Sequence, residues 1–138
     1  MRKTILSLLM GFSLTMAAQT PVTAPKGDPA QRAEKMFNFL LNDQADSLYA
    51  NFTLQLKPIL SKEQLSGVVK RVEENSGKYK SHGTWEIKDM PGGSKSCTTL
   101  VQFDKEELGA LVIFDPSGFL LGIQIVPAKA IKQGSNEQ

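Results

Sequence analysis

The chain has 138 residues, about one domain's worth, with 16 basic residues, 14 acidic residues, one histidine and one cysteine. Arg2 and Lys3 lie in a leader that carries no acid, so the rest of the chain balances at net zero and the formal charge of +2 belongs to the leader. A neutral remainder gives no electrostatic case for nucleic acid or an anionic membrane as partner, and a single cysteine excludes an intramolecular disulfide, leaving stability to the hydrophobic core.

Met1-Arg2-Lys3 is a short basic start, Thr4 to Met16 an apolar run, and Ala17-Ala18 a pair of small residues suited to signal-peptidase cleavage. That order is the order of a secretory signal peptide over residues 1–18, and the run is too short for a comfortable membrane span. A buried N-terminal helix is the alternative, but it gives no reason for basic, apolar and small residues in that sequence. No cysteine follows the run, so a lipid anchor is not expected. The expectation is an exported protein, periplasmic or secreted, with no membrane attachment once the leader is cleaved. Residues 19–27 (QTPVTAPKG) read as a flexible linker.

Asp28-Pro29 opens the first helix. Asp can cap the first orphan amides, Pro suits the first helical position, and Gln31 completes a capping box. Ala33, Met36, Phe37, Leu40 and Leu41 recur at spacings of three and four and form one apolar face, which sends Arg32, Glu34 and Lys35 towards the opposite side. Asn42-Asp43 ends it. A shorter helix is expected from Ala45 to Phe52, with Leu48, Tyr49 and Phe52 on one side. Ser61 and Gln64 then form a second capping box, and Leu65, Val68, Val69 and Val72 mark a third helix running to Gly77.

From Tyr79 the period changes from helical to alternating. Tyr79 to Lys88 reads as a strand interrupted at Gly83, with Trp85 and Ile87 on one face. Pro91-Gly92-Gly93 is a loop, and Ser96 to Phe103 alternates Thr99, Val101 and Phe103 against Thr98, Leu100 and Gln102. Leu108 to Pro127 forms the hairpin on which the domain is built, two apolar strands joined by Asp115-Pro116-Ser117-Gly118. Both strands are apolar on both faces, which predicts helices against one face and a second covering on the other. Residues 128–138 read as a polar, frayed tail. The fold class expected is α+β, three N-terminal helices packed on a curved four-stranded antiparallel sheet, with the domain spanning residues 28–127.

Three helices followed by a four-stranded meander resemble the cone of the nuclear transport factor 2-like (cystatin-like) superfamily. Within it, the chain resembles the bacterial domain-of-unknown-function family 3887. The resemblance is carried by Ala33 to Phe37, by Asn42-Asp43 leading into Phe52, by Leu60 to Leu65, by Gly77 to Gly83 and by Phe114 to Gly122. It covers roughly Asp28 to Val126. It implies a fold and an exported setting and brings no catalytic residue. Members of the family often precede a serine-hydrolase domain, but the sequence holds no Gly-x-Ser-x-Gly elbow.

No cofactor is expected. The sole histidine, His82, excludes a multi-histidine metal site, and no cluster has ligand spacing. Enzymes of the cone superfamily commonly place a His and an Asp in the cavity, which would make His82 the base and Asp89, Asp104 or Tyr49 its partner. The polar run KYKSHGT favours an edge histidine instead. Phe37, Tyr49, His82, Trp85 and Phe103 are the candidate lining of a small apolar ligand site between sheet and helices, with plain core as the alternative. Cys97 reads as a buried filler in preference to a reactive thiol. Asn51-Phe52-Thr53 matches the N-glycosylation pattern, and Asp46-Ser47-Leu48 a bacterial O-glycosylation pattern. Three functions follow as expectations. The first is a non-catalytic exported module that binds a small apolar ligand or forms a homodimer through its sheet, with Leu120, Gln124 and Val126 on that face. The second is a small isomerase- or hydrolase-like enzyme built on His82, and the third a detached accessory domain of a separate hydrolase.

Overall fold

The computed structural model describes residues 27–136, so the expected signal peptide and nearly all of the linker lie outside the described residues. Helix α1 (Pro29–Leu41) begins where its cap chemistry dictates: the Asp28 carboxylate accepts the Gln31 amide at 3.3 Å and Pro29 occupies the first turn. Its apolar stripe, Ala33, Met36, Phe37 and Leu40, is buried. Helix α2 (Ala45–Ala50) follows, then a short 3-10 turn at Lys57–Ile59. The expected third helix is two helices, α3 (Lys62–Leu65) and α4 (Val68–Ser76). The Ser61 capping box is formed in both directions. The break falls at Ser66-Gly67, where Gly67 sits at φ 69° and donates its amide to the Asp43 carboxylate at 2.7 Å. A left-handed backbone at Gly67 cannot propagate the α3 spiral, and Asp43 supplies the acceptor for the amide so exposed.

The sheet has five strands where four were expected. The reason is local. The strand interrupted at Gly83 becomes β1 (Tyr79–His82) and β2 (Glu86–Asp89), and both pair antiparallel with β3 (Lys95–Phe103) along the same side. Strands β4 (Glu107–Phe114) and β5 (Leu120–Pro127) complete an antiparallel meander. Its order places the β1/β2 pair at one edge and β5 at the other. The α1-facing side carries Cys97, Val101 and Phe103 on β3 and Ala110, Val112 and Phe114 on β4, all buried. The Asp115 turn closes as its residue types require: its carboxylate accepts the Ser117 and Phe119 amides, both at 2.9 Å.

The C-terminal segment is not a frayed tail. Residues Ala128–Asn136 form helix α5, which lies against the outer side of β3, β4 and β5. Gly109 makes this possible, since a Cβ at that position would come within 2.3 Å of Ile131 Cγ1. The second covering that the two-faced apolar hairpin demands therefore comes from the end of the chain itself. Polar composition hid it, because only Ile131 in that stretch reads as an anchor.

Candidate functional site

The sequence-predicted site residues do not form one lining. Phe37, His82 and Trp85 meet. Phe37 stands edge-on to His82 at 5.5 Å and to Trp85 at 5.7 Å between ring centres, and His82 lies 5.6 Å from Trp85. Phe103 joins through Tyr79, whose ring is 6.0 Å from Phe103 and 6.2 Å from Phe37. Tyr79 was absent from the sequence-based set: three residues from His82, it would face the other way in a regular strand, and the irregularity in register between Tyr79 and Ser81 brings the two to one face. Tyr49 is elsewhere: its hydroxyl donates to the Lys57 carbonyl at 2.8 Å, and Lys57 and Lys62 flank its ring. Phe37 and Phe103 have 0% exposure. These rings fill the space between α1 and the sheet, and their edge-to-face contacts are packing geometry.

Glu34 holds this cluster together, and helical periodicity alone sent it to solvent. It lies on α1 one turn before Phe37, at the border of the apolar stripe, and its Oε1 accepts the Trp85 indole N–H at 2.9 Å. The same oxygen lies 2.9 Å from His82 Nε2. Burial alone would raise the Glu34 carboxyl, but the Trp85 hydrogen bond and the charge and hydrogen bond of His82 outweigh it and hold the group below its ordinary range. Tyr79 is pushed the other way, first by burial and then by the Glu34 charge.

Of the acids expected to partner His82, none does. Asp89 pairs with Lys95, and Asp104 with Lys80. His82 is held at its second nitrogen too, with Nδ1 2.6 Å from the Gly83 carbonyl oxygen. Both ring nitrogens thus face protein acceptors. This arrangement fastens α1 to the β1–β2 break.

Cys97 is buried, and its thiol is pushed up to about 11 by burial and by nearby Asp28, with Lys95 opposing. Such a thiol is protonated at neutral pH and inert as a nucleophile. The Asn51-Phe52-Thr53 triplet is folded onto the sheet: Asn51 Nδ2 donates to the Ser47 carbonyl at 2.8 Å, and Phe52 and Thr53 are buried.

The other edge of the sheet has a different character. Leu120, expected on an outward face, is wholly buried. Its backbone is taken by the segment after α2, with Leu120 N–H donating to Asn51 O at 2.8 Å and Thr53 N–H donating to Leu120 O at 3.1 Å. Beyond this bridge, no strand among the described residues pairs with the outer side of β5. From Leu121 to Val126 the strand reads Leu-Gly-Ile-Gln-Ile-Val, without a charge. Leu121 is 38% exposed, and a Cβ at Gly122 would meet nothing within 4 Å. Leu54, next to the bridging Thr53, is 66% exposed and Ile59 76%.

Comparison with known proteins agrees with this architecture. Among curated proteins, none matches the chain. A protein from Ruminococcus gnavus ATCC 29149, solved by NMR, shares the fold at 15% sequence identity, with a TM-score of 0.50 over 74% of this chain and 96% of that one. The family model described as "Protein of unknown function (DUF3887)" matches residues 33–122, from the buried face of α1 to the glycine of β5, and the chain belongs to that family.

Proposed function

We propose that the chain is an exported, non-catalytic interaction module that forms a homodimer through the free edge of β5. The observation that supports this reading is the uncharged edge from Leu121 to Val126. Sheet edges ordinarily carry lysines, prolines or bulges that block pairing. Here the irregularity in register falls at the start of β5 and the proline at its end, so the stretch between them has no such block. The open stretch from Leu121 to Pro127 is centred on Gln124, so antiparallel pairing about a two-fold axis would place Gln124 opposite its own copy. Ile123 and Ile125 would then continue one face across the axis, with no like charges brought together. The exposed Leu54, Ile59 and Leu121 would lose apolar surface to the partner.

In this reading β1 and β2 count as one interrupted strand, and the helices and meander make the cystatin-like cone. Export rests on the basic, apolar and small order of residues 1–18.

Sedimentation equilibrium on the purified protein tests the pairing. The expected result is a dimer whose dissociation constant rises at least about tenfold in Gln124→Lys, which sets two ammonium groups across the axis. A monomer at all concentrations, or a dimer indifferent to Gln124→Lys, would sink the proposal.

A further inference from the structure

Arg32 sits in the early turns of α1, yet its guanidinium is not directed to open solvent. It lies at the end of the sheet where the β2–β3 connection and the Asp115 turn approach the helix. One Nη donates to the Gly118 carbonyl at 2.9 Å, and the guanidinium carbon is 5.3 Å from the centre of the Phe114 ring. Partial burial lowers its pKa. Among the described residues no carboxylate forms an ion pair with it. A guanidinium has five N–H donors in a planar fork, so most of them have no protein acceptor among the described residues.

This group borders a groove of about 250 Å³. Its apolar lining comes from Phe114, Pro29 and Pro116. Gly93 and Gly118 bring bare backbone to it at φ 91° and 94°. Two other charges lie at the groove, and both are engaged. Lys95 is bonded to Asp89, and the Asp115 carboxylate accepts the two turn amides. The cation without a described counter-charge is Arg32. Half-desolvated beside an aromatic ring, it favours an anion that matches its fork, with an apolar body that the ring and prolines can cover.

We propose that this groove binds a small organic carboxylate, with Arg32 gripping the carboxylate and Phe114 and Pro116 covering its apolar part. The site goes beyond the pairing of β5 and does not depend on it.

The experiment is an NMR titration of the ¹⁵N-labelled protein with benzoate and, separately, with inorganic phosphate. Benzoate is expected to give saturable shifts centred on the Gly93 and Gly118 amides and the Arg32 Nε–H, while phosphate at equal concentrations does not saturate. Arg32→Lys keeps the charge and the aliphatic stem, so the fold survives, but it loses the fork. Its benzoate affinity is expected to drop at least about tenfold. Three results would each overturn the proposal: no saturation with benzoate, phosphate binding as tight as benzoate, or an Arg32→Lys variant that binds benzoate as tightly as the parent.

Discussion

At the scale of single residues, Glu34 carries more structure than its position suggests. One oxygen joins α1 to both sides of the β1–β2 break through Trp85 and His82. Glu34→Gln keeps an acceptor for the indole but removes the charge. The side chain is 43% exposed, so solvent screening reduces the loss, and we expect a cost of about 1 kcal/mol in urea unfolding. The pH dependence has a fixed sign. A carboxyl held below its unfolded value, about 4.3, stabilises the fold fully above that value and loses the contribution as pH falls through the depressed one. Asp104 is depressed as well, by the Lys78 amide and by Lys80, and acts in the same direction. Acid titration of stability should therefore be shallower in Glu34→Gln than in the parent, and an equal slope would show that Glu34 is not coupled to folding. Cys97 gives a second expectation. Buried and raised to about 11, it should react with a thiol reagent only as fast as the domain opens, and addition of denaturant should release the reaction. Prompt labelling of the native protein would contradict the burial.

At the scale of elements, the informative pair is Gly109 and α5. The helix seats on the sheet because β4 has no side chain where Ile131 packs. Gly109→Ala would force a methyl group into Ile131, and we expect it to cost about 1–3 kcal/mol, read as a lower thermal midpoint and earlier proteolysis after β5. Ile131→Ala in the same chain should recover part of that loss. If Gly109→Ala left stability and proteolysis unchanged, α5 would not be held at this point. The Lys132–Glu107 ion pair beside it, 2.9 Å and exposed, is a minor contributor. The division of the third helix follows similar logic. Ser66-Gly67 weakens the spiral, and Asp43, 24 residues earlier in the chain, supplies the acceptor that makes the break favourable.

At the scale of the molecule, the sheet has two edges with opposite treatment. The β1/β2 edge is kinked at Gly83 and fastened to α1 through Glu34. The β5 edge keeps regular register with β4 from Gly122 to Pro127 and is uncharged there, which is why we propose pairing at that edge and why the expected loss of dimer in Gln124→Lys is argued there. The same comparison explains what was legible beforehand. Caps, turns and strand alternation are local, and the residues that specify them are neighbours in sequence. Asp28, the Ser61–Gln64 box, the Asp115 turn and the Thr99-Val101-Phe103 face were all readable on that basis. So was membership of the family, since its motifs are the same caps and turns in order.

The sequence by itself determined the α+β class, the meander and the buried stripe of α1, because spacings of two and of three to four decide which side chains can share a face. Only the tertiary structure decided what those faces meet. It set Glu34 between His82 and Trp85, took Tyr49 away from the aromatic cluster, and turned Leu120 into the core. It also folded the polar C-terminal segment over Gly109. Each of these depends on contact between residues far apart in the chain, and polar residues at the border of a helical stripe have no periodicity that says which way they will turn.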